Sequence, residues 1–232
     1  MKICHYNSKQ AGVVDSDKVY PIGDALVKAG HVRSGYTMLE VIDALANQPT
    51  AMQCAREALK SGSPVPLSAV KLLAPIYNPG SLWAAAANYK AHQAEMRIKM
   101  GSADRAALSP DELMAEFFLK PTSSIIGPGD TVILPKISKD VDFECELCAV
   151  IGKKARNVTE NNALDYVFGY TCVNDVTARD LQKVDGQFTR GKGFDTFCPM
   201  GPLIAAGLDP SRLGVETFIN GERRQAGRRT SG

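Results

Sequence analysis

The chain has 232 residues, 44% of them hydrophobic and 22% charged, with a formal net charge of +2. That length can bury a sizeable core, as one large domain or two unequal ones, and the even charge gives no reason to expect nucleic acid or a membrane surface as partner. No stretch reaches the roughly 20 apolar residues of a membrane span and the start, "MKICHYNSKQ", has no apolar signal-peptide segment, so a cytoplasmic protein is expected.

In chain order, "MKICHYNSKQAGVVDSDKVYPIGDAL" has short apolar pieces broken by polar turn residues, the pattern of a small strand-rich unit. Thr37 and Glu40 then spell a capping box, and Met38, Val41, Ile42 and Leu45 recur at helical spacing. A second helix, "TAMQCAREALKSG", stops at Gly62, and the prolines of "SPVPLSAVKLLAPIYNPG" predict an extended connector. These features place a boundary near residue 70, with a small N-terminal domain over 1–70 and a second domain over 71–232.

"SLWAAAANYKAHQAEMRIKM" passes from an apolar segment into a polar helical one. In "LSPDELMAEFFLKP", Ser109 as N-cap, Pro110 at the first helical position and Glu112 predict a further helix. From residue 120 the text is mainly strands and turns, including the Asn-Gly hairpin signal of "INGE", with helical patterns only in "TENNALDYVFG" and "TARDLQ". The fold class is therefore α+β, mostly β with peripheral helices.

The stretch "VDFECELCAVIG" reads as one strand with Asp142, Glu144 and Glu146 on one face and Phe143, Cys145 and Leu147 on the other. Such a face is either the solvated side of an edge strand or, because it continues into Cys148 and Val150, a half-buried site for a cation. All-oxygen ligation selects Mg²⁺, Mn²⁺ or Ca²⁺. Zinc is disfavoured: Cys145 and Cys148 spell C-x-x-C but point to opposite faces of a strand, and Cys172 and Cys198 form no second close pair. The six cysteines, Cys4 and Cys54 among them, read mostly as small buried thiols.

Five blocks, "LAPIYNPGSLWAAAANYKAHQAEM", "FLKPTSSIIGPGD", "DFECELCAVIGKKARNV", "DYVFGYTCVNDVTARDLQ" and "GQFTRGKGFDTFCPMGP", resemble the fumarylacetoacetate hydrolase family in order and spacing, over roughly residues 72 to 225. The resemblance implies the family's mixed β-sandwich and β-roll catalytic domain behind a small α+β domain. It implies a divalent ion, Mg²⁺ or Mn²⁺ with Ca²⁺ as a further option, held by Glu144, Glu146 and Asp175, with Asp142 outside the ligand set. "NYKAHQAE" matches the family's lid, in which His92, oriented by Glu95, activates water. Read from the residues alone, the same stretch is a surface helix with Glu95 paired to Lys99. Lys192 matches the lysine beside the metal that meets substrate oxygen, against the plainer reading of a surface turn between Gly191 and Gly193. Tyr89 and Gln182 are further candidates for substrate contact, while Arg179 and Asp180 are expected to form a structural ion pair or cap.

The function so implied is metal-dependent hydrolysis of a carbon-carbon bond in a small 1,3-dicarbonyl or 2-oxo acid, an acylpyruvate for example, through an enolate. Oxaloacetate-type decarboxylation and isomerisation use the same scaffold. Homodimers and a small-molecule oxo-acid substrate are the implied partners. Family members continue beyond "VETFINGERRQAGRRTSG" into a further helix and strand, so a fragment that binds metal without turnover is also an expectation of the sequence.

Overall fold

A computed structural model describes residues 1–86 and 117–228. An antiparallel meander of β1 (Lys2–Tyr6), β2 (Gln10–Asp15) and β3 (Lys18–Pro21) leads into helices α1 (Gly23–Lys28), α2 (Met38–Asn47) and α3 (Pro49–Ser61), then β4 (Val65–Pro66). Next come β5 (Trp83–Ala85), β6 (Phe117–Leu119), β7 (Ile125–Ile126), β8 (Val141–Asp142), β9 (Cys145–Ile151), β10 (Val167–Asn174) and β11 (Thr177–Ala178). Two short helices, α4 (Arg179–Val184) and α5 (Thr189–Lys192), precede β12 (Cys198–Ala206) and the hairpin of β13 (Gly214–Ile219) and β14 (Glu222–Arg228). The architecture is α+β and strand-dominated, as the pattern of the sequence predicts.

The main sheet runs β4-β3-β2-β1-β12-β10-β9, with β7 added in parallel to β12. The N-terminal meander and the later strands therefore share hydrogen bonds, Ile3 of β1 facing Ile204 of β12. Alternation along β1 and β2 separates two apolar clusters. Ile3, Ala11 and Val13 pack with Leu26, Val41, Ile42 and Leu45 of the helices, whereas Cys4, Tyr6 and Val14 pack with Val19 and Leu72. The first cluster continues through Val150, Phe168, Val173 and Ile204, so the helices are held to β9, β10 and β12 by one core.

Local chemistry accounts for the elements. At the start of α2 the Thr37 hydroxyl accepts from the Glu40 N–H at 3.3 Å and Glu40 Oε2 accepts from the Thr37 N–H at 2.7 Å, satisfying two backbone donors that the first turn leaves open. Met38, Val41, Ile42 and Leu45 are buried, as their spacing requires. The β13–β14 hairpin turns on Asn220 and Gly221, both at positive φ (52° and 82°), which the two-residue loop needs for its twist to match the strands.

Two expectations are corrected. The segment 141–152 is not one strand: β8 pairs with β11, β9 pairs with β10, and Phe143 and Glu144 lie between them. Asp142 consequently sits on a different sheet from Glu146. Phe117–Leu119, expected as the end of a helix, pairs with β5 instead, while Ser109, Pro110 and Glu112 lie outside the described residues. The helical pattern of "TENNALDYVFG" forms as a 3₁₀ helix over Glu160–Tyr166, which runs directly into β10. Among the described residues no helix is long and apolar enough to cross a membrane.

Candidate metal centre

Glu146 projects from β9 opposite Val173 of β10, and Asp175 follows the last residue of β10. Glu144 lies just before β9, where its backbone is held twice. Its N–H donates to Asn174 Oδ1 at 3.0 Å and its carbonyl accepts from the Asp175 N–H at 2.8 Å. The result is that a ligand atom from each of Glu144, Glu146 and Asp175 lies within 4.8 Å of the others. Asp175 is only 3% exposed.

Three cations face this triad. Lys192 Nζ donates to Asp175 Oδ2 at 2.5 Å, to Thr177 Oγ1 at 2.9 Å and to Glu144 Oε2 at 3.1 Å, and lies 4.8 Å from the centre of the Phe118 ring. Lys120, immediately after β6, donates to Asp175 Oδ1 at 2.5 Å and to the Lys192 carbonyl at 2.5 Å. Arg179 of α4 contacts Glu144, reaches Asp142 Oδ2 at 3.2 Å and donates to Gln182 Oε1 at 3.1 Å. Burial and the negative charges of Asp175 and Glu144 push the Glu146 carboxyl up to about 7, against the opposing pull of Lys192 and Lys120. Burial likewise lowers the Lys120 ammonium, and Asp175 beside it acts in the other direction.

Lys192 is therefore not a residue of a surface turn. It ends α5, is 3% exposed, and approaches the triad because Gly193 follows it; a Cβ at Gly193 would stand 2.4 Å from the Thr189 carbonyl oxygen and 3.0 Å from the Pro121 ring. Gln182 is present at the same side through Arg179. Tyr89, His92 and Glu95 lie outside the described residues. Asp180 forms no helix cap; it ties down the preceding loop, accepting from Ser138 Oγ at 2.6 Å and from the Lys139 N–H at 2.9 Å. Arg179 forms ion pairs with Asp142 and with Glu144, neither of which the sequence suggested.

The donor set fits a hard divalent cation. Three carboxylates converge, and the buried Glu144 Oε1 has the Arg179 guanidinium as its ion-pair partner. Oxygen ligands of one Mg²⁺, Mn²⁺ or Ca²⁺ stand about 2.0–2.6 Å from the ion, a reach that the spread of this triad approaches. Among the described residues no cysteine joins the Glu144, Glu146 and Asp175 cluster, and burial pushes the Cys148 thiol up to about 11. Lys120 and Thr177 were not legible as site residues; "FLKP" marks a lysine after an apolar strand but says nothing of where its ammonium goes.

The chain is similar to several known proteins. The family described as Fumarylacetoacetate (FAA) hydrolase C-terminal matches residues 81–231. A protein of Archaeoglobus fulgidus is 49% identical over 161 residues, 69% of this chain and 60% of its own length. The mitochondrial oxaloacetate tautomerase fahd2 of Xenopus laevis is 41% identical over 179 residues, 75% of this chain and 53% of its own. The chain thus spans little more than half the length of these curated relatives. Among solved structures, maleylpyruvate hydrolase of Sphingobium sp. SYK-6, in complex with manganese(II) and pyruvate, superposes with a TM-score of 0.77 at 28% identity, over 98% of this chain and 76% of that one. The chain belongs to the fumarylacetoacetate hydrolase family.

Proposed function

We propose that the chain acts on a small 2-oxo acid by stabilising its enolate, and that the net reaction is hydrolysis of the carbon-carbon bond of an acylpyruvate-type 1,3-dicarbonyl acid. The observation that carries this reading is the convergence of Glu144, Glu146 and Asp175 with the Lys192 ammonium on two of the three. When bound, a divalent cation such as Mg²⁺ or Mn²⁺ supplies a Lewis acid for adjacent substrate oxygens; the manganese and pyruvate in the maleylpyruvate hydrolase support both choices. Glu144, Glu146 and Asp175 hold the cation in this reading. Lys192 adds a fixed positive charge where negative charge develops on oxygen. Arg179, with Gln182 attached, offers a planar donor for a substrate carboxylate. His92, oriented by Glu95, takes the proton of the attacking water, and Tyr89 contacts substrate. The reading includes a homodimer, which light scattering checks.

A second reading, keto-enol tautomerisation of an oxaloacetate-like acid, is favoured by the Xenopus relative, which at 41% identity is an oxaloacetate tautomerase. It uses the same enolate stabilisation and moves a proton without breaking carbon-carbon bonds. The test is to supply Mg²⁺ or Mn²⁺ with acetylpyruvate, following pyruvate release, and separately with the enol of oxaloacetate, following loss of its ultraviolet absorbance. Pyruvate release that disappears in Glu144→Ala supports hydrolysis. Faster enol loss with intact acetylpyruvate rejects hydrolysis in favour of tautomerisation, and a folded, metal-loaded chain inactive in both assays defeats both readings.

A further inference from the structure

The Lys120 ammonium is enclosed, its side chain 1% exposed. An ammonium has three N–H donors, and Lys120 directs them to Asp175 Oδ1 at 2.5 Å, the Lys192 carbonyl at 2.5 Å and the Val176 carbonyl at 3.4 Å. Two of these partners are main-chain atoms. The lysine thus joins three segments: the end of β6, the turn between β10 and β11, and the last residue of α5.

The two oxygens of Asp175 consequently differ. Oδ2 shares Lys192 with Glu144 Oε2, so it is the oxygen on the side of Glu144. Each oxygen has two lone-pair positions, so Oδ2, on the Glu144 side, can keep Lys192 and still coordinate a cation, whereas Oδ1 would have to turn away from Lys120 for both oxygens to face one ion. Oδ1 is occupied by Lys120, whose contacts are otherwise with main-chain carbonyls and give it nowhere to move. Lys192 differs in this respect, since its three partners are all side-chain oxygens of the site.

Denticity separates the candidate ions. Ca²⁺ takes six to eight oxygens and readily uses both oxygens of one carboxylate, whereas Mg²⁺ and Mn²⁺ take an octahedron to which a carboxylate usually contributes one. We propose that Lys120 is a positioning residue that restricts Asp175 to a single ligand oxygen and thereby sets a preference for Mg²⁺-type ions over Ca²⁺. This rests on the metal-centre reading of Glu144, Glu146 and Asp175 and adds to it the choice of ion.

The experiment titrates Mn²⁺ into the full chain, follows free Mn²⁺ by electron paramagnetic resonance, and displaces it with Mg²⁺ and with Ca²⁺. It is run on the wild type and on Lys120→Met, Lys120→Gln and Lys120→Arg, each checked for folding by circular dichroism. The expected result is that Ca²⁺ affinity relative to Mg²⁺ rises about tenfold in Lys120→Met, rises less in Lys120→Gln, and stays at the wild-type value in Lys120→Arg. Should Lys120→Met not fold, a rise in Lys120→Gln carries the same support. An unchanged ratio in the folded variants, with both affinities falling together, overturns the proposal and makes Lys120 scaffold only. Wild-type chain that binds no Mn²⁺ overturns the metal-centre reading itself, an outcome distinct from binding with an unmoved ratio.

Discussion

Asp175 donates its backbone N–H to the carbonyl of Glu144 at 2.8 Å, and this one bond sets two carboxylates side by side. It joins the residue after β10 to the residue before β9, at the point where the pairing of these strands ends. The neighbouring Asn174 completes the clasp, its Oδ1 accepting from the Glu144 N–H at 3.0 Å. Main-chain bonds and the Asn174 side chain thus place Glu144 beside Asp175, and the consequences can be measured.

Asn174→Ala removes the acceptor of the Glu144 N–H while leaving every carboxylate in place. One hydrogen bond contributes about 0.5–1.5 kcal/mol, so a weakening of Mn²⁺ binding of up to about tenfold is expected, with far-ultraviolet circular dichroism unchanged. Wild-type affinity in the variant, measured by calorimetry, would show that Glu144 is positioned without Asn174.

Glu146→Gln removes one of three mutually repelling carboxylates, the one whose proton affinity burial and its two neighbours raise. The metal-free variant is expected to melt at or above the wild-type midpoint. Mg²⁺ at a hundred times its Kd stabilises a single-site protein by about 2.7 kcal/mol, and the variant should lose that increment. Thermal melts with and without Mg²⁺ decide the matter; equal stabilisation of both chains sinks the assignment of Glu146 as a ligand.

Lys192→Met leaves Glu144 and Asp175 without the ammonium they share, and Lys192 is 3% exposed. Removing one partner of a buried ion pair costs about 3–5 kcal/mol. A divalent cation should restore part of the loss by supplying the missing charge, so urea midpoints of this variant should respond to Mg²⁺ more than those of the wild type. Under the proposed function, turnover of a 2-oxo acid is expected to be lost even where the fold is restored.

His5 is 6% exposed on β1, with Nδ1 donating to the Ala74 carbonyl at 3.0 Å in the tautomer that the bond requires. Burial lowers its pKa below the ordinary 6.5, with the Ala74 bond acting in the opposite direction. The folded state therefore binds fewer protons than the unfolded state as pH falls through 6.5, and stability from this group is present above that pH and lost below it. His5→Asn keeps a donor for Ala74 and removes the titration. The difference in unfolding free energy between wild type and variant should shift against the wild type between pH 7 and pH 5, and a flat difference would discount His5 as a source of acid lability.

Much of the fold was legible because it is local. The Thr37 and Glu40 capping box, the buried stripe of α2 and the Asn220-Gly221 hairpin each depend on residues a few positions apart, and each formed where the pattern put it. The alternation of Asp142, Glu144 and Glu146 misled because strand periodicity assumes an unbroken strand. Asp142 pairs with Thr177 while Cys145 pairs with Asn174, and the break between them turns Asp142 toward Arg179.

By itself, the sequence determined the α+β class and the strand-rich character of the second half, and it left the acidic stretch open between a solvated strand face and a cation site. Only the tertiary structure decided that Lys120, Thr177 and Arg179 share the site with Glu144, Asp175 and Lys192. The reason is separation along the chain: Lys120 and Asp175 are 55 residues apart, and Lys192 and Glu144 are 48 apart. No periodicity reaches so far. Which oxygen of Asp175 is held, and which lies on the side of Glu144, follows from three strand ends and a four-residue helix meeting at one buried ammonium.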